Sequence, residues 1–275
     1  MAMIFCPLYS GSSGNALFVQ AGRTRVLVDA GLSGKAILQA LDQIGVPPES
    51  LDALLITHEH MDHIKGAGVI SRKLHLPVYA TAPTWQAMAR QLGEIAPRCH
   101  REFDPEDEFY IGEMGVSPFS IPHDAACPVG YRLYSGPVSL STATDLGHFT
   151  QSVLAHIGGS DLVLLESNHD PDMLRANPHY PQALKNRILG NRGHLSNESC
   201  AQALEQLVGT GVRHVILGHL SGENNLPELA YNTSCRHLCR LGLTPGADVT
   251  VDMAWRDKVS QVYTLSDSYE AGACL

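Results

Sequence analysis

The sequence has no apolar stretch approaching the roughly 18 residues that a membrane-crossing helix needs. Its opening, MAMIFCPLYSGSSGN, has neither the basic start nor the long apolar centre of a secretory leader. Both absences lead us to expect a cytoplasmic protein with no membrane association. There is no C-x-x-C pair, and the seven cysteines are odd in number, which argues against a disulfide framework and for thiols that are mostly buried. Charged side chains make up only 17% and aromatics only 6% of the chain. Positive charge is in deficit: 19 Lys and Arg stand against 28 Asp and Glu, a net charge of −9. The chain thus lacks the overall basic surface that usually accompanies nucleic-acid binding. It also lacks low-complexity linkers and short repeats, and 275 residues with 44% hydrophobic side chains suffice for one large core. We therefore expect a single domain over residues 1–275, and neither disorder nor a collagen-like architecture fits.

Histidine, by contrast, is abundant. Fourteen imidazoles are more than core or surface positions usually attract, and they suggest a metal site. Short β-branched runs at 26–28, 54–56, 162–165 and 215–217 read as strands buried on both faces. Helical patterns lie between them, at 35–44 after Ser33, 64–74, 83–92, 199–208 after the cap candidate Ser196, and 226–241. This alternation predicts an α/β protein. Segments 116–121, 130–134, 138–142, 249–252 and 259–264 read instead as hairpin or meander strands, so we expect mixed sheets. Residues 171–193 stand apart in charge, with Arg175, Lys185, Arg187 and Arg192 against Asp172, a net of +3.

The strongest signal is Thr57-His58-Glu59-His60-Met61-Asp62-His63, an H-x-H-x-D-H pattern directly after the strand at 54–56. In extended backbone, residues i and i+2 face the same side, so His58 and His60 can meet one cation. If a helix then begins, Asp62 and His63 return toward a neighbouring point, and one short loop can serve two metals. At the frequencies of His and Asp in this chain, chance yields roughly 0.002 such patterns. Imidazole and carboxylate donors suit zinc or manganese, and iron as well; a pair of such ions roughly 3.5–4 Å apart clamps phosphate or acyl substrates for hydrolysis. Further ligands are available where strands open into loops: His123 after 116–121, Asp145 after 138–142 and His219 after 215–217. Asp145, with two oxygens, can bridge two ions.

Together these residues resemble the metallo-β-lactamase fold superfamily, whose pattern runs Asp, H-x-H-x-D-H, His, Asp, His; here it is Asp29, His58 to His63, His123, Asp145 and His219. The resemblance implies an αββα sandwich: two mixed sheets packed face to face, helices outside, metals at one edge. It also implies that His58, His60 and His123 hold one metal, that Asp62, His63 and His219 hold the other, and that Asp145 lies between them. Asp29 would orient a ligand imidazole. The phrases Ser10 to Asn15, Pro122-His123-Asp124-Ala125, Asn168-His169-Asp170, Gly193 to Asn197 and Gly218 to Ser221 resemble the YycJ/WalJ-like branch near ribonuclease Z. That branch is associated with 5′ to 3′ exonuclease action on DNA. In ribonuclease Z relatives a Glu and a His form a proton-donating pair, and the matching positions are Glu166 and His194. A histidine held cationic by a carboxylate can protonate a leaving alkoxide after attack by a metal-bridging hydroxide. His169 is either a third donor beside the metals or part of a turn with Asn168 and Asp170. Ser10 to Asn15 reads first as a turn, and second as an anion cradle.

The favoured expectation is therefore a two-metal phosphodiesterase acting on nucleic acid, DNA before RNA, with Asp62, Glu166 and His194 catalytic. A glyoxalase-type thioester or lactone hydrolase has no evident use for Glu166 and His194. A small cyclic phosphodiester remains an alternative substrate on the same fold. Diiron redox relatives replace a first-loop histidine by a carboxylate, whereas His60 is retained; a non-catalytic scaffold would not need the full ligand set. The 74 residues from Asp145 to His219 are too few for the large inserted domain of the ribonuclease J group, and no glycine- and proline-rich arm of the tRNA-processing type is seen. Sheet edges and the helix near 220–241 can support a homodimer.

Overall fold

The computed structural model describes residues 2–266. Its first half runs β1 (Ala2–Tyr9), β2 (Ala16–Ala21), β3 (Thr24–Val28), α1 (Gly34–Gln43), β4 (Ala53–Leu55), α2 (Met61–Ile64), α3 (Ala67–Leu74), β5 (Val78–Thr81), α4 (Ala82–Leu92) and β6 (His100–Phe103). The second half runs β7 (Phe109–Ile111), β8 (Met114–Ser120), β9 (Val129–Ser135), β10 (Val138–Ala143), α5 (Gln151–Ile157), β11 (Leu162–Glu166), α6 (Pro171–Ala176), α7 (Gln182–Ile188), α8 (Asn197–Gly209), β12 (His214–Gly218), α9 (Pro227–Arg240), β13 (Thr250–Met253) and β14 (Tyr263–Ser266).

Among the described residues the strands form two seven-stranded sheets, ordered β14-β1-β2-β3-β4-β5-β6 and β13-β12-β11-β10-β9-β8-β7. Each is mixed in the same way. In the first, β14, β1, β2 and β3 pair antiparallel and β3 to β6 parallel. In the second, β7 to β10 pair antiparallel and β10 to β13 parallel. The parallel pairs require crossover helices, and those helices set the layers. One apolar cluster, including Phe5, Val26, Leu55, Tyr131, Leu140 and Ile216, lies between the sheets. A second joins Leu27, Leu54 and Ile56 to Ile37, Leu41, Ile70 and Met88 of the helices over the first sheet. The third joins Val163, Leu165 and Leu217 to Val153, Leu204 and Leu238 over the second sheet. Strands buried on both faces have no polar face to spare, hence the continuous apolar runs. The αββα sandwich expected from the sequence is present.

Local chemistry accounts for most boundaries. Ser33 and Ser196 cap α1 and α8 by accepting from the N–H groups of Ala36 and Ser199. Asp170 caps α6 with Pro171 in its first turn. The helix expected over 64–74 is instead two helices that start at Met61 and break at Lys65 and Gly66. A Cβ on Gly66 would stand 2.4 Å from the Leu32 carbonyl oxygen, and the Gly66 N–H donates to Ala30 O at 2.7 Å. That close approach of backbone to the 30–32 loop takes precedence over helical continuity. The strand expected at 259–264 begins only at Tyr263, since Ser260 donates its N–H to Pro7 O outside any ladder. Of the six described cysteines, Cys6, Cys99 and Cys200 are buried and Cys127, Cys235 and Cys239 are not; all six are free thiols. No helix among the described residues is long and apolar enough to cross a membrane.

Candidate metal centre

The centre gathers at strand ends along one edge of the sandwich. Three of its members, Asp29, Asp145 and His219, take left-handed backbone with φ of 62°, 58° and 55°. Each follows β3, β10 or β12 by one or two residues, and the sharp turn directs its side chain over the sheet edge. Non-glycine residues seldom adopt this conformation, and it costs of the order of 1–3 kcal/mol at each position. His60 is still extended and α2 begins at Met61, so the loop follows the derived course: His58 and His60 face one point, and Asp62 and His63 come from the helix start.

The imidazole atoms converge. His60 Nδ1 lies 3.0 Å from His58 Nε2 and 3.2 Å from His123 Nε2, and one ligand atom from each of the three residues falls within 4.8 Å of the others. Three further groups meet the same limit: Asp62, His63 and His219; His58, His63 and Asp145; and Asp145, Glu166, His194 and His219. Asp145 reaches toward the first two groups alike: its carboxylate oxygens lie 3.2 Å from His63 Nε2 and 3.6 Å from the Nε2 atoms of His123 and His219. Among these buried atoms, Asp145 Oδ2 and His219 Nε2 have no hydrogen-bond partner. A buried carboxylate oxygen and a buried imidazole nitrogen without partners, set among further imidazole nitrogens, are the donor set that a divalent cation takes.

The outer nitrogens are held by neighbours that set the tautomers. Asp29 accepts from Thr57 N and Thr57 Oγ1, each at 2.9 Å, and from His63 Nδ1 at 2.8 Å. His123 Nδ1 donates to Gly193 O at 3.1 Å. Glu166, fully buried, accepts four hydrogen bonds: from Leu146 N at 2.6 Å, Leu195 N at 3.0 Å, His194 Nδ1 at 2.9 Å and His219 Nδ1 at 2.8 Å. Carboxylate to imidazole contacts of this kind fix ring orientation and leave the other nitrogen for a metal.

Charge follows from the same packing. Burial alone would depress His219, but the carboxylates of Asp145, Asp62 and Glu166 push it up to about 10. Burial would raise Glu166, yet His194 and His219 bring it down to about 2. His194 has its pKa raised above the usual imidazole value: burial opposes its charge, and Glu166 outweighs that penalty. His58 is held well below the usual range by burial and by His63, so it is neutral and its lone pair is available.

Every residue singled out in the sequence as ligand, orienter or proton donor enters this network except His169. That side chain is buried, is pushed down to about 4 chiefly by burial, and has neither ring nitrogen hydrogen-bonded. Its neighbours build the turn: Asp170 caps α6, and Asn168 Nδ2 donates to Ser12 Oγ at 3.1 Å and His219 O at 2.9 Å. The sequence reading missed two contributors. Asn15 holds the Gly11 backbone through both N–H and C=O, donates to Asp62 O at 3.3 Å and lies 3.1 Å from His63 Nε2. Thr57 bridges Asp29 and the Nδ1 atoms of His58 and His63. Asn15 was in view within the Ser10 to Asn15 phrase, but its target is 47 residues away.

A cavity of about 380 Å³ opens beside the centre, lined in part by His60, Asp62, Asp145 and His194. The basic segment is mostly committed elsewhere. Lys185 Nζ donates to Arg175 O at 2.6 Å, Arg175 pairs with Asp172, and Arg192 donates to His123 O at 3.0 Å. Arg187 pairs with Asp124 and lines the cavity.

The family model described as the Beta-lactamase superfamily domain matches residues 24–220, a span that contains the whole H-x-H-x-D-H loop and every other grouped residue. The chain belongs to the β-lactamase superfamily. Within that superfamily it is 41% identical over 246 residues to exodeoxyribonuclease WalJ of Streptococcus pneumoniae, covering 89% of this chain and 91% of the relative. It is 40% identical over 230 residues to exodeoxyribonuclease YycJ of Bacillus anthracis, covering 84% and 87%. In fold, it superposes on the metallo-β-lactamase fold protein YhfI of Bacillus subtilis with a TM-score of 0.69 at 17% identity, covering 94% of this chain and 99% of that one. The superfamily expected from the motifs is thus the one to which the chain belongs, in its WalJ and YycJ branch.

Proposed function

We propose that this protein is a metal-dependent phosphodiesterase that removes nucleotides from DNA in the 5′ to 3′ direction. The observation that carries the reading is the Glu166–His194 pair set against the metal-capable cluster. Its support in sequence is the 41% identity to a protein named as an exodeoxyribonuclease. His58, His60 and His123 would hold one divalent ion, and Asp62, His63 and His219 a second, with Asp145 serving both. Zinc or manganese suits these donors, and iron is compatible with them. When bound, such ions supply charge neutralisation and water activation to phosphodiester hydrolysis.

The chain's own residues do the rest. Asp29 holds the His63 proton on Nδ1, and Glu166 does the same for His219, so Nε2 is the nitrogen of each ring that would give up its proton to an ion. His194 has Nδ1 committed to Glu166, which leaves Nε2 as the proton donor to the leaving oxygen. The carboxylate favours the cationic form of that ring, the state a general acid needs. A thioester hydrolase expels a thiolate that needs no such donor.

The finer parts of the reading are DNA in preference to RNA, action in the cytoplasm, one domain over residues 1–275, and a homodimer formed through sheet edges or α9. The test is hydrolysis of 5′-labelled duplex DNA, single-stranded DNA, RNA and a glutathione thioester by metal-analysed protein with added manganese or zinc. Mononucleotides released from DNA 5′ ends are expected; thioester cleavage with inert nucleic acids would move the protein to acyl chemistry.

A further inference from the structure

The cavity beside the centre has an apolar wall that the hydrolytic chemistry does not use. Leu184 and Ile188 stand four residues apart on α7 and so share one helix face. Such a stripe ordinarily packs into the core. These two, with Tyr180 just before the helix and Met61 at the start of α2, belong to none of the three buried apolar clusters among the described residues; they line the cavity instead. Met61 is 53% exposed.

The wall is held in place. Lys185 anchors α7 to Arg175 O at 2.6 Å, the His194 N–H donates to Ile188 O at 3.0 Å, and Arg192 ties the following loop to His123 O at 3.0 Å. An apolar face fixed toward solvent beside charged groups is what a ligand with one flat apolar part and one anionic part would use. Arg187, on the same helix, lines the cavity and is paired there with Asp124, so an entering phosphate would take over a guanidinium that a carboxylate now holds. The volume of about 380 Å³ lies near the small end of the range for small-molecule pockets, about 300–1,000 Å³. It is room for one nucleotide rather than for an oligonucleotide.

We propose that Tyr180, Leu184, Ile188 and Met61 form the binding face for the terminal nucleobase of the strand being degraded, with Arg187 beside its backbone phosphate. The proposal rests on the nuclease reading given above. Contacts to the face of a base, rather than to its edge, tolerate every sequence. They also require the terminal base to leave its stack, so a single-stranded or frayed end is the preferred substrate.

The experiment compares kcat/KM on two single-stranded DNAs that are identical except for the 5′-terminal nucleotide, intact in one and abasic in the other. Base stacking on such a wall gives an expected preference of about 5- to 150-fold for the intact end. In Leu184→Ser and, separately, Tyr180→Ala, each checked for retained metal and folding, that ratio falls toward one. Wild-type protein that degrades both ends at equal rates would overturn the base-binding wall while leaving the nuclease reading intact. A ratio unchanged in both variants would overturn the assignment of these residues. Wild-type protein that releases no nucleotide from either DNA would overturn the nuclease reading itself, and this proposal with it.

Discussion

Replacing Glu166 with Gln is nearly isosteric, yet it removes the one group that serves both the metal side and the proton-donor side of the centre. The amide oxygen can keep the two backbone donors, Leu146 N and Leu195 N. Its NH₂ then faces His194 Nδ1 and His219 Nδ1, which lie 2.9 and 2.8 Å from the carboxylate in the native protein. Both rings must invert their tautomers to accept, and His219 then carries a proton on Nε2, the atom needed for a metal. Two charge-assisted hydrogen bonds are lost, each worth roughly 1.5–3 kcal/mol, so the metal-free fold loses at most about 3–6 kcal/mol. Metal affinity should fall about 10- to 100-fold, and turnover at saturating metal by a further 10²- to 10⁴-fold as the acid is lost. The assay is DNA hydrolysis across a chelator-buffered series of free metal concentrations, which separates affinity from turnover. The sign of the pH effect also follows. Glu166 titrates near 4.5 when exposed and at about 2 in the fold, so its stabilising charge is fully present above pH 4.5 and is lost as the pH falls through 2. The Gln variant should show a flatter acid-unfolding profile in that window. A variant with native metal affinity, native turnover and an unchanged acid limb would refute the tautomer argument.

Three further outcomes are expected. His194→Ala should slow release of poor leaving groups about 10²- to 10⁴-fold while barely affecting p-nitrophenolate, and should abolish the alkaline fall in kcat that occurs as the raised His194 pKa is passed; equal losses on both substrates would remove its acid role. Gly31→Ala would set a Cβ 1.6 Å from the Asp62 carbonyl oxygen, so the loop must move and metal content measured by atomic emission should drop; native content would show the loop to be pliant. Tyr131→Phe deletes a buried hydroxyl that donates to Ile56 O at 2.6 Å and should cost about 1–3 kcal/mol in urea unfolding, with no change in midpoint as the contrary result.

How much of this was legible beforehand depends on how local the cause was. The ligand loop could be read because its spacing alone brings His58 and His60 to one side, and because Asp145 and His219 sit where apolar runs end. The layers followed from strands apolar on both faces alternating with capped helices. Asn15 and Thr57 were not legible as supports, since a single polar residue beside a turn or motif says nothing about a partner dozens of residues away. The break at Lys65 and Gly66 escaped the periodicity because a backbone contact to the 30–32 loop, not a local preference, causes it. The charge of segment 171–193 was counted correctly but did not translate into an open basic face. Lys185, Arg175 and Arg192 serve carbonyls and a neighbouring carboxylate, and Arg187, which lines the cavity, is paired with Asp124.

The most direct test of the central claim is a metal titration of chelator-stripped protein, with bound metal and release of mononucleotides from 5′-labelled DNA measured on the same samples, beside Asp62→Ala. Asp62 stands in one of the four overlapping groups that could hold an ion and is 3.6 Å from His63 Nε2 and 3.7 Å from His219 Nε2. The account predicts that activity of the native protein rises until about two ions are bound, and that the variant folds, holds about one ion and releases no nucleotides. Full DNA hydrolysis by the variant with one ion bound, or by native protein at its first equivalent, would contradict it.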